Sequence, residues 1–459
     1  MALLPTARAL GSHMRLDYPG IMSGLPRHCL APTVTRLGLA PNTRATGGTV
    51  DMTRSPPTPR SWPSTPSAAP PCYPQLRTGR CFDPLDDGTL ITMPKPSGEL
   101  PSDVQDLLLR NHGVLLAADA RGAGISDSKL RRLTAAGKLR RLAQGVYVEA
   151  AAFDALDDWQ RFALQARAFG LRCGEDAFLT GWACTAIRRF PTLGRPPTLP
   201  TAIRPKDGRR EPFIGTEGRV VVAHLPAAHR WTLGRLRVVS DEWAVVDVAR
   251  SARLPDSLVV ADEAARRGLD LAGVLPHMRR WAGVGRAAWV VEQAEPTIES
   301  PLETLGRFTF IEYDLPMPVT NAWVGRDGPE WRLDGLLPWH WWGYEGDGAL
   351  KYDNREDASK IVREQQEREF QLRRLGLDLL RYGWPDVYPS REPLVAKVRA
   401  MFGDCPPRPK AIKWWKDIPG QGPVDPKLED WPLPGPLGLV LPAGWRQDLD
   451  GLGSDRDDC

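Results

Sequence analysis

Four carboxylates between residues 300 and 350 have the residue types and spacing that metal chemistry requires. Glu345 and Asp347 alternate along a predicted strand and share one face of it, and Asp334 lies on the preceding predicted strand. Glu303, from a helix just before this hairpin, is the fourth candidate. Oxygen ligands of this kind suit Mg²⁺ or Mn²⁺, which can activate water for attack on a phosphodiester. The pattern predicts a Mg²⁺ or Mn²⁺ site with these four ligands, which we call the acidic cluster; the alternative is an exposed acidic hairpin edge.

A second group of residues with functional potential is cationic. A helix predicted from Asp127 to Ala136 turns Leu130 and Leu133 inward, so its opposite face is positively charged, and a predicted hairpin from Leu139 to Val148 continues that charge. This basic face consists of Ser126, Ser128, Lys129, Arg131, Arg132, Lys138, Arg140 and Arg141. Such a surface suits contact with the phosphates and base edges of double-stranded DNA. A solvated, arginine-rich helix face is the alternative.

Two more predicted helices position the basic face. The first begins at Ser102 and ends near Asn111, and the second runs from Leu115 to Ala123. The hairpin turns at Gln144-Gly145. Three helices followed by a hairpin are the outline of a winged helix.

The remaining segments predict a mixed α/β protein with irregular ends. The predicted divisions are a winged helix (101–150), an α/β middle domain (151–295), a small helix–hairpin–helix–strand domain (296–403) and an irregular tail rich in Pro and Trp (404–459). Residues 1–100 are rich in Pro, Ser and Thr and have no apolar period, which predicts disorder. The alternative is that translation is assigned too far upstream and begins at Met93.

Composition excludes several classes of protein. The chain has 459 residues, 25% of them charged, and no apolar run near the roughly 20 residues that span a bilayer, so we expect two or three domains and no membrane contact. Its seven cysteines show neither metal-ligand spacing nor a disulfide framework, which favours the reducing cytoplasm. A net charge of +4 does not identify a nucleic-acid binder, so that inference depends on the local basic face.

Aromatic residues and histidines give weaker signals. Trp339 and Trp341, near the turn of the acidic hairpin, are candidates for stacking on unpaired bases, whereas the other tryptophans of this region are predicted to fill the core. His224 and His229 have the residue type of a metal pair but no third ligand nearby in the sequence, so we interpret them as structural or surface residues.

The segment from Gly124 to Val148 resembles the N-terminal winged helix of AbiEi-type antitoxin and regulator proteins. The resemblance is carried by the pattern GxSxxxLRRLxxxGKLxRLxxGVYV. The middle region resembles the second part of such proteins, through Leu179 to Ala183 and Val245 to Arg250, although Trp243-Ala244 replaces a common Arg-Thr pair. The resemblance implies a regulator that binds operator DNA in a type IV toxin–antitoxin operon, with a cognate toxin or operon partner.

Residues 299–388 resemble the small Vsr-like endonuclease domains of the restriction-nuclease superfamily, which often follow AbiEi-like winged helices in actinobacterial proteins. The matching elements are Ser300-Pro301-x-Glu303, Asp334, Glu345-x-Asp347-Gly348, a helix with Glu367-Arg368-Glu369 and Leu372, and the segment from Leu375-Gly376 to Arg381, in which Arg381 has no assigned role. The resemblance implies that Asp334 and Glu345 hold the metal, Glu303 supports it and Arg368 faces the phosphate. Asp347 replaces the lysine of the superfamily's Glu-x-Lys element, and Lys351 is either a substitute cation or a surface lysine.

Two functions follow, and the sequence leaves open whether the chain is an enzyme. The first is a non-catalytic DNA-binding regulator of the antitoxin type. The second is a Mg²⁺- or Mn²⁺-dependent DNA endonuclease to which the winged helix brings substrate. Its catalytic residues would be Asp334, Glu345, Asp347, Lys351 and Arg368.

Overall fold

The computed structural model describes residues 100–207, 211–348 and 358–445, and within them helices and four β-sheets form a mixed α/β protein, as the sequence predicts. The α-helices are α1 (Ser102–Arg110), α2 (Ala117–Gly122), α3 (Asp127–Ala135), α4 (Ala150–Asp154), α5 (Asp158–Gly170), α6 (Gly181–Ile187), α7 (Asp241–Ser251), α8 (Leu254–Arg266), α9 (Val284–Gln293), α10 (Pro301–Glu312), α11 (Ala358–Arg374), α12 (Trp384–Val387) and α13 (Glu392–Asp404). The strands are β1 (Leu115–Leu116), β2 (Leu139–Ala143), β3 (Val146–Glu149), β4 (Phe178–Leu179), β5 (Thr201–Pro205), β6 (Phe213–Ile214), β7 (Arg219–Ala223), β8 (Arg230–Leu233), β9 (Leu236–Val239), β10 (Val319–Val324), β11 (Trp331–Leu337), β12 (Trp342–Gly346), β13 (Asp378–Tyr382), β14 (Lys416–Ile418) and β15 (Gly422–Val424).

The elements from α1 to β3 form the basic module. Helices α1 and α3 and the β2–β3 hairpin confirm the sequence predictions. The second predicted helix is wrong at its start, because Leu115 and Leu116 form β1 and pair with Tyr147 and Val146 of β3. The sheet order is therefore β1-β3-β2, with the apolar faces of the helices packed on it. A strand of two residues is too short to show an alternating apolar pattern in the sequence, so it is recognised only from its pairing with β3.

The middle region contains a six-stranded mixed sheet of order β6-β7-β5-β4-β9-β8. Helices α5 to α9 contribute buried side chains to its core, among them Trp243, which is fully buried. The segment after α8 contains a 3-10 helix (Ala272–Met278) that includes Pro276. Proline lacks the backbone N–H that a helix interior uses, which accounts for the irregular form. Inside this core Arg188 forms a buried ion pair with Asp241 at 3.0 Å.

The third region contains a four-stranded sheet of order β10-β11-β12-β13. Strands β10, β11 and β12 are antiparallel neighbours, whereas β12 and β13 are parallel and are connected through α11. The sequence predicts α10, β11, β12, α11 and β13 but not β10 or α13. The observed order is helix, three strands, helix and strand. Helix α10 joins this region to the middle one, since Phe308 contributes to the middle core and Phe310 to the core beneath the four-stranded sheet.

The C-terminal segment, residues 405–445, is more ordered than the sequence predicts. It forms the β14–β15 hairpin, and Trp414 and Trp415, which directly precede β14, are buried. Trp339 and Trp341 donate their indole N–H groups to the carbonyls of Pro432 and Lys410, each at 2.8 Å. Both tryptophans are half-buried, and these hydrogen bonds tie them to the C-terminal segment. The structure therefore shows them in a packing role and not in stacking on bases. Apolar packing by tryptophan stabilises a segment that has little regular structure.

Some predictions concern residues that lie outside the described ones. These are the disorder of residues 1–99, the alternative start at Met93, the end of the tail after residue 445, and Lys351. Among the helices of the described ranges, none is both long and apolar enough to cross a membrane.

Candidate nucleic-acid interface and acidic cluster

Helix α3 presents the basic face because its ends and its apolar side are fixed. Ser126 is the N-cap and accepts a hydrogen bond from the backbone N–H of Lys129 at 3.3 Å, and its hydroxyl lies 2.9 Å from that of Ser128. Leu130 and Leu133 are buried, as predicted. Gly137 follows the helix with a φ of 70°, a conformation that favours glycine. The two serines therefore shape the start of the helix, where they are also exposed to a ligand.

Arg131 and Arg132 are the two cations of α3 that point away from its buried side. Both are exposed, and within the described residues neither has an ion-pair or hydrogen-bond partner. The helical period that buries Leu130 and Leu133 places them outward. They can bind an anion without first breaking an intramolecular contact.

The other cations of the basic face are engaged to different degrees. Lys129 pairs with Asp103 of α1 at 2.6 Å, and Arg140 binds Asp154 through two contacts of 2.6 and 3.2 Å. Arg141 is exposed and donates to the carbonyl of Ala143 at 3.2 Å. Lys138, also exposed, lies at the turn between α3 and β2. The structure brings the predicted residues to one module, but their charges are unequally available.

Glu345 of the acidic cluster is held by two arginines. Arg368 Nη2 lies 2.5 Å from its Oε1, and Arg381 Nη2 lies 3.0 Å from its Oε2. Arg381 reaches Glu345 because the two residues are register partners on the parallel strands β12 and β13. Arg381 also binds both oxygens of Asp347, at 2.9 and 3.1 Å. The sequence predicts Arg368 near this cluster but not Arg381, because only the strand register brings Arg381 there.

Burial makes the Glu345 carboxylate dependent on these partners. Its side chain is 7% exposed, compared with 25% for Arg381. Burial raises the pKa of Glu345 above its ordinary value, the charges of Asp334 and Asp347 raise it further, and Arg368 and Arg381 lower it. A carboxylate in this position needs paired cations to stay ionised.

Glu303 and Asp334 form the other half of the acidic cluster. Glu303 accepts hydrogen bonds from the N–H of Glu299, the hydroxyl of Ser300 and the amide of Asn321, and Asp334 accepts the N–H of Gly346 at 2.8 Å. Burial raises the pKa of Glu303, and the negative charge of Asp334 raises it further. A negative charge nearby disfavours the ionised form of a carboxyl, which is the direction of this effect.

The acidic cluster, as the described residues place it, does not fit a divalent cation. Among the described side chains no three His, Cys, Asp or Glu are arranged to hold a metal. Guanidinium groups neutralise Glu345 and Asp347, and backbone or side-chain donors bind Glu303 and Asp334. The four carboxylates predicted as Mg²⁺ or Mn²⁺ ligands thus bind arginines or hydrogen-bond donors of the protein itself.

A histidine group in the middle region includes a member that sequence reasoning missed. The ring of His277 lies 5.8 Å from that of His229 and 6.5 Å from that of His224, measured between centroids. His229 Nδ1 lies 2.7 Å from the Ser240 hydroxyl, and burial lowers its pKa. No metal-holding arrangement involves these rings within the described ranges. His277 comes from the 3-10 helix, whose position relative to β7 the sequence does not reveal.

Comparison with known proteins identifies one segment. The family model described as the transcriptional regulator AbiEi antitoxin matches residues 102–150, which include the whole basic module. No curated protein matches the chain. A solved structure, that of the RV2827C protein from Mycobacterium tuberculosis, has 16% identity and a TM-score of 0.30, and the similarity covers 45% of this chain and 83% of that one.

Proposed function

We propose that this protein is a DNA-binding transcriptional regulator of the AbiEi antitoxin type, in which the basic module acts as a winged helix on double-stranded DNA. The observation that carries the proposal is the exposed pair Arg131 and Arg132, which have no partner in the described part of the chain and lie on a capped helix within the segment that the family model matches. In winged helices of this order the third helix enters the major groove and the hairpin contacts the adjacent backbone. The proposal includes a cognate toxin or operon partner and a cytoplasmic location, which suits the free thiols of Cys173, Cys184 and Cys405.

The hairpin supports the same binding mode. Arg140 and Arg141 lie on β2, and both are exposed on the module that carries α3. Phosphate contacts by these side chains would add to those of Arg131 and Arg132 and fix the position of the module on the duplex. The ion pair between Arg140 and Asp154 reduces its contribution, so α3 provides most of the available charge.

Sequence-specific duplex binding is the test of this function. We expect the protein to bind a labelled duplex from upstream of its own coding sequence about 10³-fold or more tightly than a shuffled duplex of equal length, at fixed salt, in fluorescence anisotropy. Affinity for both duplexes should fall as salt rises. Equal affinity for the two duplexes over the salt series would contradict an operator-binding regulator.

The second candidate function is metal-dependent DNA cleavage by the third region. It is favoured by the order of helix, three strands, helix and strand, and by the place of Asp334 on β11 and of Glu345 on the neighbouring strand β12. The arginines bound to Glu345 and Asp347 oppose it, because they occupy the oxygens that a cation would need. The regulator therefore stays the first candidate.

Cleavage assays separate the two candidates. If the second one is right, the wild-type protein cuts supercoiled, linear or single-stranded DNA with Mg²⁺ or Mn²⁺, and Asp334→Asn or Glu345→Gln abolishes cutting. Duplex affinity in EDTA should be nearly unchanged, because each change preserves size and removes one carboxylate charge far from α3 in the chain. Failure of the wild-type protein to cut any of the three substrates with either metal would eliminate this candidate and leave the regulator unaffected.

A further inference from the structure

A cavity of about 180 Å³ lies where the basic module meets the middle region. Its apolar lining comes from Val114, Leu116, Leu171 and Leu233. Val114 belongs to the core beneath β3, and Leu233 belongs to the core of the six-stranded sheet. The cavity is therefore built from both cores rather than from one exposed loop.

The polar lining of this cavity is rich in arginine. It contains Arg110 at the end of α1, Arg167 of α5, Arg235 of the β8–β9 turn, and His112. Among the described residues that line the cavity there is no carboxylate. The nearby Asp119 pairs with Arg235 at 2.6 Å, and so neutralises one of the three arginines. Arg110 has no ion-pair partner among the described residues, and its charge favours a negatively charged occupant.

The turn at the end of α1 satisfies the last carbonyls of the helix. The N–H groups of Asn111, His112 and Gly113 cap the carbonyls of Leu107, Leu109 and Leu108, at 3.1, 3.3 and 2.7 Å. This turn places His112 at a φ of 51°, which is uncommon for a residue with a side chain. The capped turn leaves the cavity lined by side chains of Arg110 and His112.

We propose that this cavity is a binding site for a small organic anion, with an apolar group against Leu116, Leu171 and Leu233 and a carboxylate or phosphate bound by Arg110 and by Arg235, whose guanidinium would be shared between the ligand and Asp119. Its volume suits a ligand of one ring, since an apolar cavity of roughly 150 Å³ accommodates benzene. A few charged groups around an apolar surface are the usual composition of a ligand site. Arginine suits both kinds of oxyanion because its fork can donate two parallel hydrogen bonds.

Such a ligand would contact the basic module and the middle sheet together. Arg110 and His112 belong to the basic module, whereas Arg167 and Arg235 belong to the middle region. The site does not require DNA, so it is distinct from the proposed operator function and can be tested without a duplex.

Calorimetric titration of the full chain tests the site with defined probes. Benzoate and phenyl phosphate supply the two head groups on one ring, inorganic phosphate lacks the ring, and benzyl alcohol lacks the charge. We expect benzoate or phenyl phosphate to bind at least about tenfold more tightly than both inorganic phosphate and benzyl alcohol. The preferred head group identifies the ligand as a carboxylate or a phosphate ester. Absence of heat and of thermal stabilisation with both aromatic anions would overturn the proposal.

Variants locate the binding. Arg110→Gln and Arg235→Gln should each weaken the better aromatic anion by about tenfold or more, because each removes a charge-assisted hydrogen bond. Arg326→Gln, at an exposed loop of the third region, is the matched control and should leave binding unchanged. Circular dichroism would verify folding, and Arg110→Gln keeps the test valid if loss of the Arg235–Asp119 pair unfolds the second variant. Binding that survives both cavity substitutions would place the anion elsewhere and contradict this site.

Discussion

The double substitution Arg131→Gln and Arg132→Gln is expected to weaken duplex binding by roughly 60-fold at 0.1 M salt. Each lost phosphate contact removes about 0.9 from the slope of log affinity against log salt, so the slope should fall by about 1.8. Both side chains are exposed and have no partner within the described residues, so neither must leave an ion pair to reach a phosphate. Fluorescence anisotropy over a salt series measures both quantities.

The matched control for this variant removes the same number of charges elsewhere. Arg326 and Arg399 are exposed in the third region, and their double replacement with glutamine should leave the salt slope within error of the wild-type value. If the Arg131/Arg132 variant has both the affinity and the salt slope of the wild-type protein, DNA contacts another surface. A loss of affinity with an unchanged slope would instead indicate base-edge contacts in place of phosphate contacts.

The ion pairs of the basic module refine what the sequence predicts for its charge. Lys129 is bound to Asp103 and Arg140 to Asp154, so an anion must compete with a carboxylate for each of them. The spacing of the apolar residues predicts which side chains of a helix point outward, because residues three and four positions apart lie on the same face. It does not predict the partner of Lys129, since Asp103 lies 26 residues earlier and on a different helix.

The limits of sequence reasoning are clearest in the third region. The types and order of Asp334, Glu345 and Asp347 predict a cluster of metal ligands, whereas the described residues pair Glu345 and Asp347 with arginines. Arg381 was not predicted because its position beside Glu345 depends on the parallel register of β12 and β13, which are separated in sequence by α11. Parallel pairing is a long-range property, and local residue patterns carry no information on its register. Strand β10 is also missed, and it pairs antiparallel with β11.

The same pairing leads to a large expected effect on stability. Arg381→Gln should lower the free energy of unfolding by about 2 to 3 kcal/mol, because it removes one of the two cations that hold the buried Glu345 carboxylate. Loss of one partner of a fully buried pair costs about 3 to 5 kcal/mol, and we reduce that figure because a quarter of the Arg381 side chain is exposed to solvent. Urea denaturation, compared with the wild-type protein at pH 7, measures the difference.

Two further variants show whether the buried charge is the cause. Glu345→Gln combined with Arg381→Gln removes the carboxylate together with its cation, so it should lose less stability than Arg381→Gln alone. Arg373→Gln breaks an exposed ion pair with Glu369 on α11, where about 0.5 kcal/mol or less is expected. If Arg381→Gln costs no more than Arg373→Gln, Glu345 does not depend on Arg381 in solution, and its oxygens are more available to a cation than the structure indicates. That result would strengthen the cleavage candidate, because the arginines bound to Glu345 are the main structural argument against it.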